Sequence, residues 1–215
     1  MTWHKTLGLF LTLIGWAGVA SLAAELSPVP LPPPQLASPH PLMQALAARR
    51  STREFRTNAL PVQTLGNLLW AGCGTNRADG HRTVPSALNS QAVDLYVALP
   101  EALYRYEPVG HRLAPVAAGD HRARTGSQPF VKTAPVALLF VADLARLQKA
   151  KPEDRDRYAH MEAGFISQNV SLYCAAEGLG TVVHDLDREA LRELLRLRPE
   201  QHVLLGQAVG YARQP

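Results

Sequence analysis

The run Val136–Ala142 (Val-Ala-Leu-Leu-Phe-Val-Ala) carries no polar side chain and is bounded by Pro135 and Asp143. A run this short, rich in branched and aromatic residues, reads as a strand buried on both faces. Such a strand needs a partner on each edge and a layer above and below, so it sits at the centre of a layered domain.

The rest of the chain supplies those layers. Val93–Leu99 is strand-like, and Leu103–Tyr106 and Arg112–Val116 flank Pro108-Val109-Gly110 as a hairpin. Thr181–His184 and His202–Tyr211 read as two further strands. A short helix is predicted over Pro41–Arg50, with Leu42 and Leu46 on one face. A second starts near Pro61, turns Leu65, Leu68 and Leu69 inward, and stops at Gly72 or Gly74. The longest runs from about Glu153 to Glu177, with Phe165, Ile166, Asn169, Val170, Tyr173 and Cys174 on its apolar face. Gly164 in that helix permits close approach by another backbone, so the helix suits a dimer core or the centre of a monomer. Asp187 is placed to cap a last helix, Arg188–Leu197. Gly119–Pro135 is polar and without pattern. Long helices alternating with few strands make an α+β or α/β sandwich.

The N-terminus is organised differently. Lys5, the uncharged run Leu7–Ala20 and the small residues Ser21-Leu22-Ala23-Ala24 follow the order of a secretory signal peptide over residues 1–23, with cleavage after Ala23. The alternative is an uncleaved anchor. Residues 24–41 carry Pro28, Pro30, Pro32, Pro33, Pro34, Pro39 and Pro41, a density that forbids helix and favours an extended spacer. The folded domain is therefore expected at residues 42–215, in an exported, periplasmic protein. Cys73 and Cys174 are too few for a disulfide framework and sit in apolar helical contexts, which favours two free thiols. A net charge of +4 with no basic stripe interleaved with aromatics gives no reason to expect a nucleic acid partner.

Two stretches carry chemistry. Arg49-Arg50-Ser51-Thr52-Arg53 gathers three guanidiniums and two hydroxyls just after an apolar helical turn. Guanidinium forks and hydroxyls are what a phosphate dianion needs, because they give charge-assisted, often bidentate hydrogen bonds. The plain alternative is a solvated basic helix end. The second stretch is Pro85-Ser86-Ala87-Leu88-Asn89-Ser90-Gln91.

Together these resemble the FMN site of the nitroreductase-like flavoprotein family, in its Arg-x-Ser-x-Arg/Lys-x-Phe and Pro-Ser-x-x-Asn-x-Gln segments. Val131–Pro135 leading into the apolar strand, Gly164–Asn169, Ala175–Thr181 and Gln207–Tyr211 extend the resemblance over about residues 42 to 213. It implies an α+β sandwich with a central, mainly antiparallel sheet flanked by helices, and a long dimer-core helix. It implies an obligate homodimer binding FMN at the subunit interfaces and transferring two electrons through flavin N5 to or from a small molecule.

Carried over by position, Arg49, Arg50 and Ser51 contact phosphate, and Arg213 helps hold it. Arg53 approaches the pyrimidine edge of the isoalloxazine, where a fixed guanidinium stabilises the charge of the reduced ring. Pro85, Ser86 and Asn89 contact ring and ribityl, Asn89 from the partner subunit's side, while Val182, Val183 and His184 offer backbone to the ring. The Tyr104–Pro108 hairpin, with Gln91-Ala92-Val93 where many relatives have Gln-Pro-Trp, resembles the branch of azoline-forming peptide dehydrogenases. Peptide chemistry itself does not carry over.

No acid–base residue is required, because the flavin carries the chemistry. His184-Asp185 are too close in sequence for a catalytic dyad, and His160 and Glu162 lie on different helix faces, so no metal is expected. No nucleophile elbow, Walker lysine or GxGxxG follows a strand. Gly178-Leu179-Gly180 can both end the long helix and approach a cofactor. Export sets a difficulty, since NAD(P)H is confined to the cytoplasm. The electron donor or acceptor is therefore unassigned, and a non-catalytic, flavin-binding partner protein is the competing reading.

Overall fold

The computed structural model of the chain describes residues 26–37 and 40–213. The expected signal peptide lies outside them. Among the described residues no helix is long and apolar enough to cross a membrane.

The predicted central strand is β5 (Val136–Asp143), and all eight of its residues are buried. It pairs antiparallel with β2 (Val93–Ala98) on one edge and β7 (Gln201–Tyr211) on the other. The sheet extends through β3 (Ala102–Glu107), β4 (Arg112–Ala118) and β1 (Val29–Pro30) on the β2 side. It ends at β6 (Leu179–His184) on the β7 side. All seven strands run antiparallel to their neighbours, in the order β1-β4-β3-β2-β5-β7-β6. An α+β sandwich is the result.

One face is covered by α2 (Val62–Cys73) and α3 (Pro152–Ala176), and α1 (Leu42–Ala48) packs on α3. The other face is covered by α4 (Arg188–Leu195), which places Leu191 and Leu195 against Tyr96, Leu139 and Val141. Asp187 caps α4 as predicted: its carboxylate accepts the Ala190 N–H at 3.1 Å. The helix ends two residues early, at Leu195, and Arg196 takes a left-handed conformation (φ 51°) that closes the last turn.

Helix α3 departs from its predicted pattern at one position. Ile166, Val170 and Cys174 are buried as expected, but Phe165 is 40% exposed beside Met161 at 47%. The buried stripe instead passes through Ala159, Glu162, Ala163 and Ser167. A side chain added at Gly164 would meet nothing within 4 Å, so that side of the helix is open. Cys73 and Cys174 are free and buried. Loss of hydration pushes both thiols up, Cys73 to about 12.

The proline-rich stretch is extended, as its composition requires, but within residues 26–37 it is not a free spacer. β1 adds to the sheet edge through Val29 and Pro30, opposite Leu113 and Arg112. Leu31 is buried and its N–H donates to the His111 carbonyl at 3.0 Å. Asn67 accepts the Gln35 N–H at 2.9 Å, and Gln63 Nε2 donates to the Pro33 carbonyl at 2.9 Å. Prolines suit this place because an outermost strand needs no outward N–H. Local composition sets the extended shape, whereas the docking comes from partners 30 or more residues away.

His111 latches the stretch. Its Nε2–H donates to the Pro32 carbonyl at 2.9 Å, which leaves Nδ1 to accept from the Tyr106 hydroxyl at 2.8 Å. Burial holds the imidazole below its ordinary 6.5, so the neutral ring that this arrangement requires is favoured.

Two outcomes follow from the docked segment. Leu31→Ala removes a buried side chain and should lower stability by about 2–4 kcal/mol in chemical denaturation; a free spacer would leave it unchanged. A depressed folded pKa at His111 contributes stability that is complete above 6.5 and is lost as pH falls through the lowered value. Protection of the Leu31 amide against hydrogen exchange, relative to its intrinsic rate at each pH, should therefore fall on acidification before that of the β5 amides.

Candidate functional site

The arginine segment follows α1 and is laced across the free end of the sheet. Ser51 forms a parallel bridge with Thr181 at the start of β6, and the Thr52 N–H donates to the Thr181 carbonyl at 2.9 Å. Further on, Phe55 bridges Ala212, the Arg56 N–H donates to Tyr211 at 2.9 Å, and the Arg213 N–H donates to the Glu54 carbonyl at 2.9 Å. Phe55 anchors the segment by burying its ring with Phe130, Ala134, Val182 and Ala208. The segment's course is thus fixed by its backbone and one aromatic ring, leaving the charged side chains outside.

Those side chains are unpaired. Among the described residues the guanidiniums of Arg49, Arg50, Arg53 and Arg213 make no ion pair or hydrogen bond. Nor do the hydroxyls of Ser51 and Thr52. By contrast Arg122, Arg146, Arg157, Arg188 and Arg198 each meet a carboxylate. Unneutralised cations held together cost self-repulsion, which an anion relieves.

A cleft of about 230 Å³ opens beside them, lined in part by Arg50, Thr52, Ser171, Gly178 and Thr181. Its floor depends on two glycines with separate duties. Gly178 has φ +67° and terminates α3, where a left-handed residue is needed. At Gly180 a side chain would begin 2.8 Å from Thr52 Cγ2, so the absent Cβ lets the arginine segment lie on the strand.

β6 closes the sheet, and beyond Thr52 its outer edge is open. Backbone groups alternate sides along a strand, and Thr181 uses its carbonyl outward. Val183 therefore presents its N–H and C=O on the same free edge, and its side chain is 48% exposed. Val182 turns inward to the Phe55 cluster. His184 is buried against Phe130, with Nδ1 bonded to the Asp185 carbonyl at 3.0 Å and Nε2 without a partner. Burial holds its pKa down. The Asp185 carboxylate meets Arg188 instead, and no His–Asp dyad forms.

Pro85, Ser86 and Asn89 lie elsewhere. Ser86 bonds to Glu162 of α3, whereas the cleft uses Ser171 and Ala175 of that helix. At about 1.5 Å per residue the two places are roughly 14–20 Å apart along the axis. One chain thus places Arg50 at the cleft, with Arg49, Ser51 and Arg53 on the same segment, Arg213 bonded to that segment through its backbone and Val183 two residues along β6 from the Thr181 contact, while the Pro85–Asn89 turn lies apart. Sequence reasoning counted the Thr52 hydroxyl in the arginine motif without giving it a site role, and weighed Glu162 only as a metal ligand; its one signal for the turn was a charge on an otherwise buried helix stripe. Among the described residues no group of metal-ligating side chains exists.

A sequence model of the nitroreductase family matches residues 46–211. The chain belongs to this family. A Methanocaldococcus jannaschii protein assigned as a nitroreductase is 32% identical over 180 residues, 79% of this chain and 90% of that protein. The crystal structure of a Ralstonia eutropha JMP134 protein assigned in the same way is 43% identical, with TM-score 0.83 over 87% of this chain and 90% of that one.

Two structures below 25% identity share the fold alone. The Escherichia coli microcin synthetase McbBCD complex has TM-score 0.69 at 17% identity, over 96% of this chain and 85% of that one. The NADPH:FMN oxidoreductase of Vibrio harveyi has TM-score 0.59 at 21% identity, over 80% and 69%. Family membership supports an oxidoreductase enzyme.

The arginine segment's seat gives a direct test. Gly180→Val should cost about 1–3 kcal/mol, the usual penalty of overpacking, with Thr52→Gly in the same chain recovering part of it. Thermal unfolding of the two single variants and the double variant measures the coupling.

Proposed function

We propose that the protein is an FMN-dependent oxidoreductase that acts as a homodimer on a small molecule. The observation that carries this is the set of four unpaired guanidiniums and two partnerless hydroxyls on one backbone crossing, of which Arg50 and Thr52 line the cleft. The donor set fits a phosphate ester: forks for two or three oxygens, hydroxyls for the remainder, and none of the four guanidiniums held in an ion pair among the described residues. Arg49, Arg50, Ser51 and Arg213 would hold the phosphate, and Arg53 would stand at the electron-accepting edge of the ring. The open edge at Val183 would give the ring backbone hydrogen bonds. Bound there, FMN would supply two-electron transfer through N5.

A second subunit completes the reading. The exposed side of α3 at Met161, Gly164 and Phe165, with the exposed Leu42 and Met43 of α1, is an apolar face suited to another copy of the chain. A two-fold pairing there would bring one chain's Pro85–Asn89 turn towards the other's arginine segment, which reconciles their separation within one chain. The chain's own groups then bind, orient and stabilise charge. None of them needs to exchange a proton.

We further propose that the protein is exported by the signal-like segment at residues 1–23 and acts in the periplasm. NADPH is named with the Vibrio harveyi protein. A periplasmic enzyme would need a different donor or acceptor.

The test is the absorbance of the purified protein and its affinity for two flavins. Bands near about 370 and 450 nm, with FMN released on denaturation, are expected. Arg50→Ala should weaken FMN about 10- to 100-fold, the scale of a lost charged hydrogen bond, while leaving riboflavin binding unchanged. A colourless protein that refuses added FMN would overturn the reading. FMN that binds and stabilises the dimer, yet is reduced by no donor, would assign a non-catalytic flavin-binding partner.

A further inference from the structure

The turn from Ser86 to Gln91 has an improbable backbone. Leu88, Asn89 and Gln91 all have positive φ, at 57°, 50° and 48°, and none is a glycine. Leucine and glutamine are poorly suited to the left-handed region, so such a turn persists only where its surroundings over-determine it.

A buried carboxylate supplies that determination. Glu162 is 2% exposed and has no ion-pair partner among the described residues. Its Oε2 accepts the Ser86 hydroxyl at 2.7 Å and the Ala92 N–H at 3.2 Å, and its Oε1 accepts the Val93 N–H at 3.2 Å. A carboxylate has only acceptors, so it fixes the direction of the Ser86 O–H. With that proton committed, Ser86 Oγ turns a lone pair to the Gln91 N–H, which it accepts at 2.7 Å and so closes the turn. Beyond the closure, Gln91 Nε2 donates to the Gly80 carbonyl at 2.9 Å and the Gln91 carbonyl accepts from Arg146 at 2.9 Å. Pro85, Leu88 and Asn89 are left exposed at the tip. A charge buried without an ion pair is costly, and three donors aimed at it from the turn and the residues just after it are what make it tolerable.

We propose that Glu162 is a positioning residue that locks the Ser86–Gln91 turn so that Leu88 and Asn89 are presented, preformed, to the ring end of a flavin held by the partner subunit. The presentation rests on the FMN reading above; the locking does not. Glu162 touches neither cofactor nor substrate and acts through Ser86 and the backbone at Ala92 and Val93. A carboxamide in its place sets an N–H against an N–H at one of those backbone positions, so Gln is not an equivalent residue here.

The experiment uses the full chain, in wild-type form and as Glu162→Gln, Ser86→Ala and the double variant. Amide hydrogen exchange is followed alongside FMN and riboflavin affinity. Exchange at Gln91–Val93 should be about tenfold faster in Glu162→Gln, with α3 and β5 amides unchanged, the scale of one lost hydrogen bond to a charge. Ser86→Ala should loosen the Gln91 amide similarly, and the double variant should add little there, because the two groups act as a unit. Both flavins should weaken together, since the turn serves the ring end; the phosphate-end variant at Arg50 weakens FMN alone.

Unchanged exchange at Gln91–Val93 in Glu162→Gln would overturn the proposal, as would faster exchange spread through α3, which would make Glu162 a general core residue. If exchange rises locally while flavin affinity is unmoved, the positioning role is overturned and only the lock survives. If the wild type takes up neither flavin, the FMN reading falls, and the exchange data still decide the lock.

Discussion

Everything in this molecule hangs on β5. All of its residues are buried, so every backbone group along it must be paired by a strand on either side, and both of its faces must be covered. β2 and β7 meet the first demand, and α2, α3 and α4 meet the second. That single requirement places a strand on each side of β5, β2 on one and β7 on the other. β7 in turn pairs with β6, whose outer edge is met by Ser51 and Thr52 at Thr181 and is open beyond them. The candidate site is built on that edge.

Charge is arranged by what the backbone does with the edge. Residues 50–56 lie along the ends of β6 and β7 and are held by backbone hydrogen bonds and by Phe55, which leaves their guanidiniums no role in the fold. The other arginines that meet carboxylates spend their charge inside the structure, as Arg146 does with Asp94 at 2.6 Å. The separation is physical. Where side chains are not needed for folding, they are free for an anion, and preorganised cations bind one without paying to gather first. Gly180 belongs to the same device, since its missing Cβ sets how closely the segment approaches the strand.

Two polar side chains, one buried and one half-buried, each hold a single element. Glu162 holds one turn, His111 holds one extended segment, and both act through backbone groups distant in sequence. In each case the element held has a conformation its own residues do not enforce. Leucine and glutamine do not favour positive φ, and a proline-rich stretch has no hydrogen bonds of its own to make. A polar group placed on a rigid helix or hairpin fixes such an element more sharply than apolar contact, because a hydrogen bond has direction.

By itself the sequence determined the layers. The apolar run at Val136, the turn signals at Pro108–Gly110, the cap at Asp187 and the spacing of Leu65, Leu68 and Leu69 are local, and short-range sterics and periodicity turn them into strands and helices. The arginine motif was also legible, because its chemistry lies in residue type and proximity. Tertiary structure alone decided the rest. That residues 26–37 dock, that Phe165 stays outside while Glu162 goes in, and that the Pro85–Asn89 turn lies far along α3 from the arginines depend on partners tens of residues away. Composition carries no record of such distances. A helix pattern shows which residues share a face but not what that face meets, and an unpaired charge can be recognised only once every other charge has found its partner.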